Sequence, residues 1–190
     1  MTVIKNFSEK LMGRRICLCK NEESAAAEMF DLIQQNREQL TEFLPWPEKI
    51  KSVQDQLNYI KMTNESWKQK ALFDFGIYNL SDQKFIGNIG AHSIDWRNSR
   101  CELGYWIVNE FSGKGLVSEA VEILEAECFR LGFHRIEIRC SSQNEKSAFV
   151  ALRNHYILEG YLKDEVIENG EFRDTFIFAK RSANHKTRTH

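Results

Sequence analysis

The chain's 190 residues suffice for one domain, and a composition 42% apolar and 12% aromatic supplies a core, which excludes wholesale disorder. Lys and Arg number 26 against 27 Asp and Glu, a net charge of −1 with histidine neutral, so no long-range positive field draws nucleic acid or an anionic membrane. No apolar run nears the roughly 18–20 residues of a membrane span, and Met1 to Arg15 lacks the apolar stretch of a secretory leader, so the expectation is a cytoplasmic protein.

From Arg14 to Lys20, charged residues alternate with Ile16 and Leu18, a strand signal. After Ser24, the positions of Met29, Leu32, Ile33, Leu40 and Phe43 predict a helix that Pro45 stops. Ser52-x-x-Asp55 resembles a capping box, and Val53, Leu57, Ile60 and Trp67 form the apolar stripe of the helix it opens, with Trp67 in the core. Phe73 to Tyr78 and Lys84 to Ile94 read as a hairpin around Asn79 to Gln83, with His92 as a structural residue. A turn at Trp96 to Ser99 leads to a strand from Arg100 to Val108, where Cys101, Leu103, Tyr105 and Ile107 alternate.

From Gly115 the period becomes helical: Leu116, Val117, Ala120, Val121, Leu124, Cys128 and Leu131 share one face, and Gly132 ends the helix. Phe133 to Cys140 is the next strand, Asn144 to Asn154 a short helix, and Asn169-Gly170 the turn of a last hairpin. This order predicts helices packed on a largely antiparallel sheet rather than repeated βαβ winding. One domain is expected over residues 1–180, with a polar, aperiodic tail over 181–190.

Five cysteines without a Cys-x-x-Cys pair, and five scattered histidines, point to buried inert thiols and no metal. No Gly-x-Ser-x-Gly and no Cys-His motif marks a covalent nucleophile. The informative segment is Phe111-Ser112-Gly113-Lys114-Gly115-Leu116, where a strand meets a Gly-x-Gly turn and a helix begins at once. Glycines there let successive N–H groups face one hollow, and the helix N-terminus adds free donors, a combination suited to a pyrophosphate; Lys114 adds a point charge. The string is neither Gly-x-Gly-x-x-Gly, since position 118 is Ser, nor Gly-Lys-Ser/Thr.

The arrangement resembles the GNAT superfamily of acyl-CoA-dependent N-acyltransferases, in the branch of RimJ/RimL-like ribosomal-protein N-terminal acetyltransferases. Ser112-x-x-Gly115-x-Val117 stands where that family has Gln/Arg-x-x-Gly-x-Gly/Ala, departing at both ends. Glu102-Leu103-Gly104-Tyr105-Trp106, Asn144-x-x-Ser147, Leu152-Arg153-Asn154-His155-Tyr156-Ile157-Leu158-Glu159-Gly160 and the Pro45-Trp46-Pro47 loop are similar to further strings of the branch, in order along nearly the whole chain. The resemblance implies a GNAT fold, an α/β (α+β) arrangement of about seven mostly antiparallel strands flanked by four helices.

It also implies acetyl-CoA as cosubstrate, no metal, and direct transfer to an amine. The coenzyme-binding residues it suggests are Trp106, Ile107, Val108, Phe111, Ser112, Gly113, Lys114, Gly115, Leu116, Asn144 and Ser147. Glu102 is the suggested base or water-orienter, with Glu165 and Glu168 competing, and Ser147 the proton donor to the leaving thiolate. Tyr156 is either a second donor or a core aromatic. His155 replaces a glycine, and Trp46, with Glu102, faces the acceptor. The favoured acceptor is a protein α-amine, on a ribosomal protein as the resemblance implies: with a pKa of about 7.7–8.0 against about 10.4 for lysine, it is neutral far more often at pH 7 and needs little base. A small amine acceptor, or a sensor that binds coenzyme A without turnover, remains the alternative. A monomer or a homodimer is equally compatible.

Overall fold

The computed structural model describes residues 6–183. Eight strands form one sheet: β1 (Lys10–Met12), β2 (Ile16–Lys20), β3 (Phe73–Asn79), β4 (Phe85–Asp95), β5 (Arg100–Ile107), β6 (Arg135–Ser141), β7 (Ile157–Glu168) and β8 (Glu171–Arg181). Five helices accompany them: α1 (Ala26–Gln35), α2 (Arg37–Thr41), α3 (Val53–Lys68), α4 (Leu116–Leu131) and α5 (Glu145–Arg153). The sheet order is β1-β2-β3-β4-β5-β6-β8-β7, antiparallel throughout except for the β5–β6 pair.

The count exceeds the expected seven strands and four helices for two local reasons. Arg14 and Arg15 lie in a turn rather than in a strand, and Lys10–Met12 pairs antiparallel with Cys17–Cys19 of β2 across it as β1. The helix expected from Ser24 to Phe43 breaks at Asn36, where φ −116 and ψ 14 leave the helical region. Asn36 Nδ2 donates to the Leu32 carbonyl while its Oδ1 accepts from the N–H of Asn109, side-chain competition of the kind that ends helices.

Residues alternate between two sheet faces. On one face Leu18, Phe75, Ile89, Leu103 and Ile136 pack with Ala120, Val121, Leu124 and Cys128 of α4. On the other, α1 and α3 close over Phe85 and Trp106 with Met29 and Ile60. Trp67 is 8% exposed and meets Phe73 and Phe75 edge-on, as its spacing predicts. The Ser52–Asp55 capping box forms: Asp55 N–H donates to Ser52 Oγ, and Lys51 N–H to Asp55 Oδ2. All five cysteines are free; Cys17, Cys101 and Cys128 are buried, while Cys19 and Cys140 are half-buried. Ser182 N–H donates to the His134 carbonyl; residues 184–190 of the expected tail, and residues 1–5, lie outside the described residues.

The α1/α3 face also buries polar groups. Asp74 Oδ2 accepts from Asn88 Nδ2 at 2.7 Å, Asn21 Nδ2 at 2.9 Å and Tyr59 Oη at 3.2 Å. Burial outweighs these donors and pushes the Asp74 carboxyl up from 3.8 to about 6. The folded chain therefore holds a proton here that the unfolded chain releases at lower pH. The stability this confers is full below pH 3.8 and is lost as pH rises through about 6. Urea melts of the parent and Asp74→Asn at pH 4 and pH 7 should show the variant gaining relative to the parent at the higher pH; a difference independent of pH would contradict the assignment.

Candidate active site

The site begins where a parallel strand pair fails to continue. β5 and β6 pair only at Arg100–Glu102 against Arg135–Glu137. Beyond Glu102, β5 stays with β4 as far as Ile107, and β6 stays with β8 as far as Ser141, so the two strands part. The β5 edge that faced β6 then has no strand partner, leaving main-chain polar groups for another ligand. One side-chain contact spans the opening: Tyr105 Oη lies 3.0 Å from Ser147 Oγ and donates to the Ser147 carbonyl at 3.2 Å. Burial pushes the Tyr105 hydroxyl's pKa upward, so it stays neutral.

At this opening lies a cleft of about 280 Å³. Trp106 and Ile107 reach it from β5, Phe111, Ser112, Gly113 and Gly115 from the loop, and Leu116, Asn144 and Ser147 from the two helix starts. Nine residues proposed for the coenzyme thus line one cleft. Two do not: Val108 is buried with its N–H donating to the Ile86 carbonyl, and the Lys114 ammonium sits 5.0 Å over the Phe111 ring. Asn144 Oδ1 caps α5 by accepting from the Ser147 N–H.

Gly113 and Gly115 take φ +74 and +75, the left-handed region that glycine enters without strain. A Cβ at Gly113 would meet nothing within 4 Å, so the hollow there is open. Among the described residues, no hydrogen bond occupies the main-chain N–H groups from Gly113 to Ser118. A turn of free donors at a helix N-terminus fits a pyrophosphate.

Arg15 holds this turn from behind, a role its sequence position gave no sign of. Its guanidinium donates to the carbonyls of Lys114 at 3.0 Å and Gly115 at 3.2 Å, and through Nε to Glu119 Oε2 at 2.8 Å. Glu119 Oε1 accepts the N–H groups of Arg14 and Arg15. Burial raises the Glu119 carboxyl, but these donors outweigh it and hold it below the usual range.

On the α1/α3 face, Glu102 faces His92 Nε2 at 3.9 Å and Arg139 Nε at 3.8 Å. Burial raises the Glu102 carboxyl, and the neighbouring His92 and Arg139 side chains offset that only in part. The Trp46 ring lies 5.7 Å from the ring of Trp106 on the same face. Glu165 and Glu168 sit on β7, separated from β5 by β6 and β8. Tyr156 is not brought to the cleft: it is 2% exposed in the α4 core, and burial, with Glu125 beside it, pushes its hydroxyl far upward. His155 takes φ +62, so it keeps the left-handed backbone that a glycine would adopt there. Burial and the charge of Glu168 push the Cys140 thiol up to about 11, with the Ser147 hydroxyl partly offsetting them. No group of three or more potential metal ligands occurs among the described residues.

Residues 15–157 match the family described as "Acetyltransferase (GNAT) domain". The ribosomal-protein-serine acetyltransferase of Escherichia coli (strain K12) is 29% identical over 162 residues, 83% of this chain and 88% of that one. Among solved structures, a RimL ribosomal L7/L12 alpha-N-protein acetyltransferase in complex with coenzyme A superposes with a TM-score of 0.87 at 24% identity, covering 91% of this chain and 98% of that one. The microcin C7 self immunity acetyltransferase MccE in complex with acetyl-CoA and AMP gives 0.84 at 29% identity, covering 88% and 93%.

Because Arg15 fixes the carbonyls and so the aim of the adjoining N–H groups, Arg15→Ala should weaken coenzyme A binding about tenfold, or ~1.4 kcal/mol. Calorimetric titration reads the affinity, and a thermal melt checks that the fold persists. Unchanged affinity would show that the turn holds its shape unaided.

Proposed function

The chain belongs to the GNAT acetyltransferase family, and from that premise we propose that it transfers the acetyl group of acetyl-CoA directly to the N-terminal α-amine of a protein, a ribosomal protein being the favoured acceptor. The observation that carries the reading is the row of unoccupied N–H groups from Gly113 to Ser118, set beside the unpaired edge of β5. A diphosphate takes the first, and the amides of a pantetheine arm take the second in the manner of an added strand. The names of the E. coli relative and of the RimL neighbour support a protein acceptor.

The two faces of the sheet divide the chemistry. Ser147, Asn144 and the glycine turn lie with α4 and α5, where the thioester arm enters; Glu102, Trp46 and Trp106 lie on the opposite face, where the amine arrives. In this scheme Asn144 and the β5 main chain hold the arm, and a β5 N–H polarises the carbonyl. Ser147 supplies a proton to the departing thiolate, with Tyr105 Oη, 3.0 Å away, keeping its hydroxyl aimed. Glu102 orients the group that accepts the amine's proton. Cys140, held protonated by its surroundings, is unsuited to carry the acetyl group, in keeping with direct attack. An acceptor on a ribosomal protein places the reaction in the cytoplasm.

A panel of acetyl-CoA acceptors tests this: peptides with free N-termini, N-blocked peptides carrying lysine, polyamines, amino sugars and amino acids, each followed by mass spectrometry. Free-N-terminus peptides should lead by about tenfold or more in kcat/KM, as the lower amine pKa favours. Faster acetylation of a small amine would overturn the protein-acceptor reading, and tight coenzyme binding without turnover on any amine would reveal a sensor. Ser147→Ala should lower kcat by about 100-fold with the acetyl-CoA KM nearly unchanged; an unaltered kcat would remove Ser147 as proton donor.

A further inference from the structure

The register of β4 and β5 sets Gly90 beside Gly104 and His92 beside Glu102 on the face where the amine is proposed to arrive. The pairing slips directly after His92, between His92 and Asp95. Ser93 holds φ +51, a left-handed backbone that serine seldom adopts. A bulge of this kind re-aims the side chain beside it. Here the imidazole crosses to the neighbouring strand: Nε2 lies 3.0 Å from where a Cβ of residue 104 would stand, so any residue but glycine there would press on the ring. Nδ1 lies 3.1 Å from Ser93 Oγ, and Nε2 lies 3.9 Å from Glu102 Oε1. The side chain remains 36% exposed, which is not the environment of a core histidine. Glu102 is also the last residue at which β5 pairs with β6, so the ring faces the residue after which those two strands part.

We infer that His92 is the base that takes the proton from the attacking amine, and that Glu102 is a positioning residue acting through it. This deepens the proposed function and rests on it. Glu102 is poorly placed to be the base itself, since its two oxygens face His92 and Arg139, and Arg139 lies 3.4 Å from Glu137 as well. Imidazole, by contrast, both takes and releases protons near neutral pH. In the tautomer that donates its Nδ1 hydrogen to Ser93 Oγ, the lone pair of Nε2 is free. As the amine nitrogen bonds to the acyl carbon and the C–S bond breaks, the surplus proton on that nitrogen passes to Nε2, directly or through one water. Glu102 stabilises the imidazolium so formed. Ser147 protonates the thiolate and is reprotonated by water, while His92 returns its proton to water. One amine and one thioester become one amide and one thiol.

The test uses the full chain, with His92→Ala and His92→Gln assayed on whichever amine the parent acetylates fastest. Both variants should lose about 100-fold in kcat, with the acetyl-CoA KM within about twofold of the parent's. Free imidazole should restore His92→Ala several-fold and leave His92→Gln, whose side chain fills the space, unimproved. A kcat within about threefold of the parent's, or a loss in His92→Ala that imidazole does not lift, overturns the inference. Because the parent chooses the amine, a preference for small amines defeats the protein-acceptor reading while this comparison still decides the role of His92. A parent that acetylates nothing defeats both.

Discussion

The site depends on the parting of β5 from β6 after three paired residues. A sheet interior normally satisfies every main-chain donor and acceptor with its neighbours. Here β4 holds β5 as far as Ile107 and β8 holds β6 as far as Ser141, so neither strand closes on the other. α4 connects the two as a parallel crossover and occupies one face, α1 and α3 the other. The gap is thus the passage between the two faces, and the polar groups beside it are kept for a ligand. Tyr105 and Ser147, on elements that face each other across it, hold its width.

The glycine turn is shaped from two directions. Positive φ at Gly113 and Gly115 aims the N–H groups, and Arg15 pins the carbonyls behind them. Burying the Glu119 carboxylate is costly unless its oxygens are satisfied, and it accepts two main-chain N–H groups and one guanidinium N–H. That satisfaction ties the turn before β2 to the start of α4. The loop's conformation therefore rests on a long-range contact and not on its own residues alone. The opposite face is polar in a different way: Asp74, Asn21 and Asn88 form a buried hydrogen-bonded group, while His92 and Glu102 stay partly exposed at the opening. The first group stiffens the sheet under α3; the second remains available to solutes.

Several of these features were legible in the chain itself. Alternation in Arg100 to Val108 placed β5, the change of period at Gly115 placed α4, and Gly113 and Gly115 between them marked the turn. Asn144, as a helix cap, announced where α5 begins. These are local signals, since side-chain period and backbone freedom act over a few residues. The break at Asn36 escaped notice because it involves Asn109, which is remote in the chain.

Local physics in the sequence therefore determined most of the elements, their order and the anion-suited turn. Only tertiary structure decided that Arg15 clamps the turn, that Tyr105 reaches Ser147, that Tyr156 points into the core and that His92 leans across Gly104 toward Glu102. The reason is register: which side chains meet across a sheet depends on strand pairing and on the slip at Ser93, and neither is written in the period of any single strand.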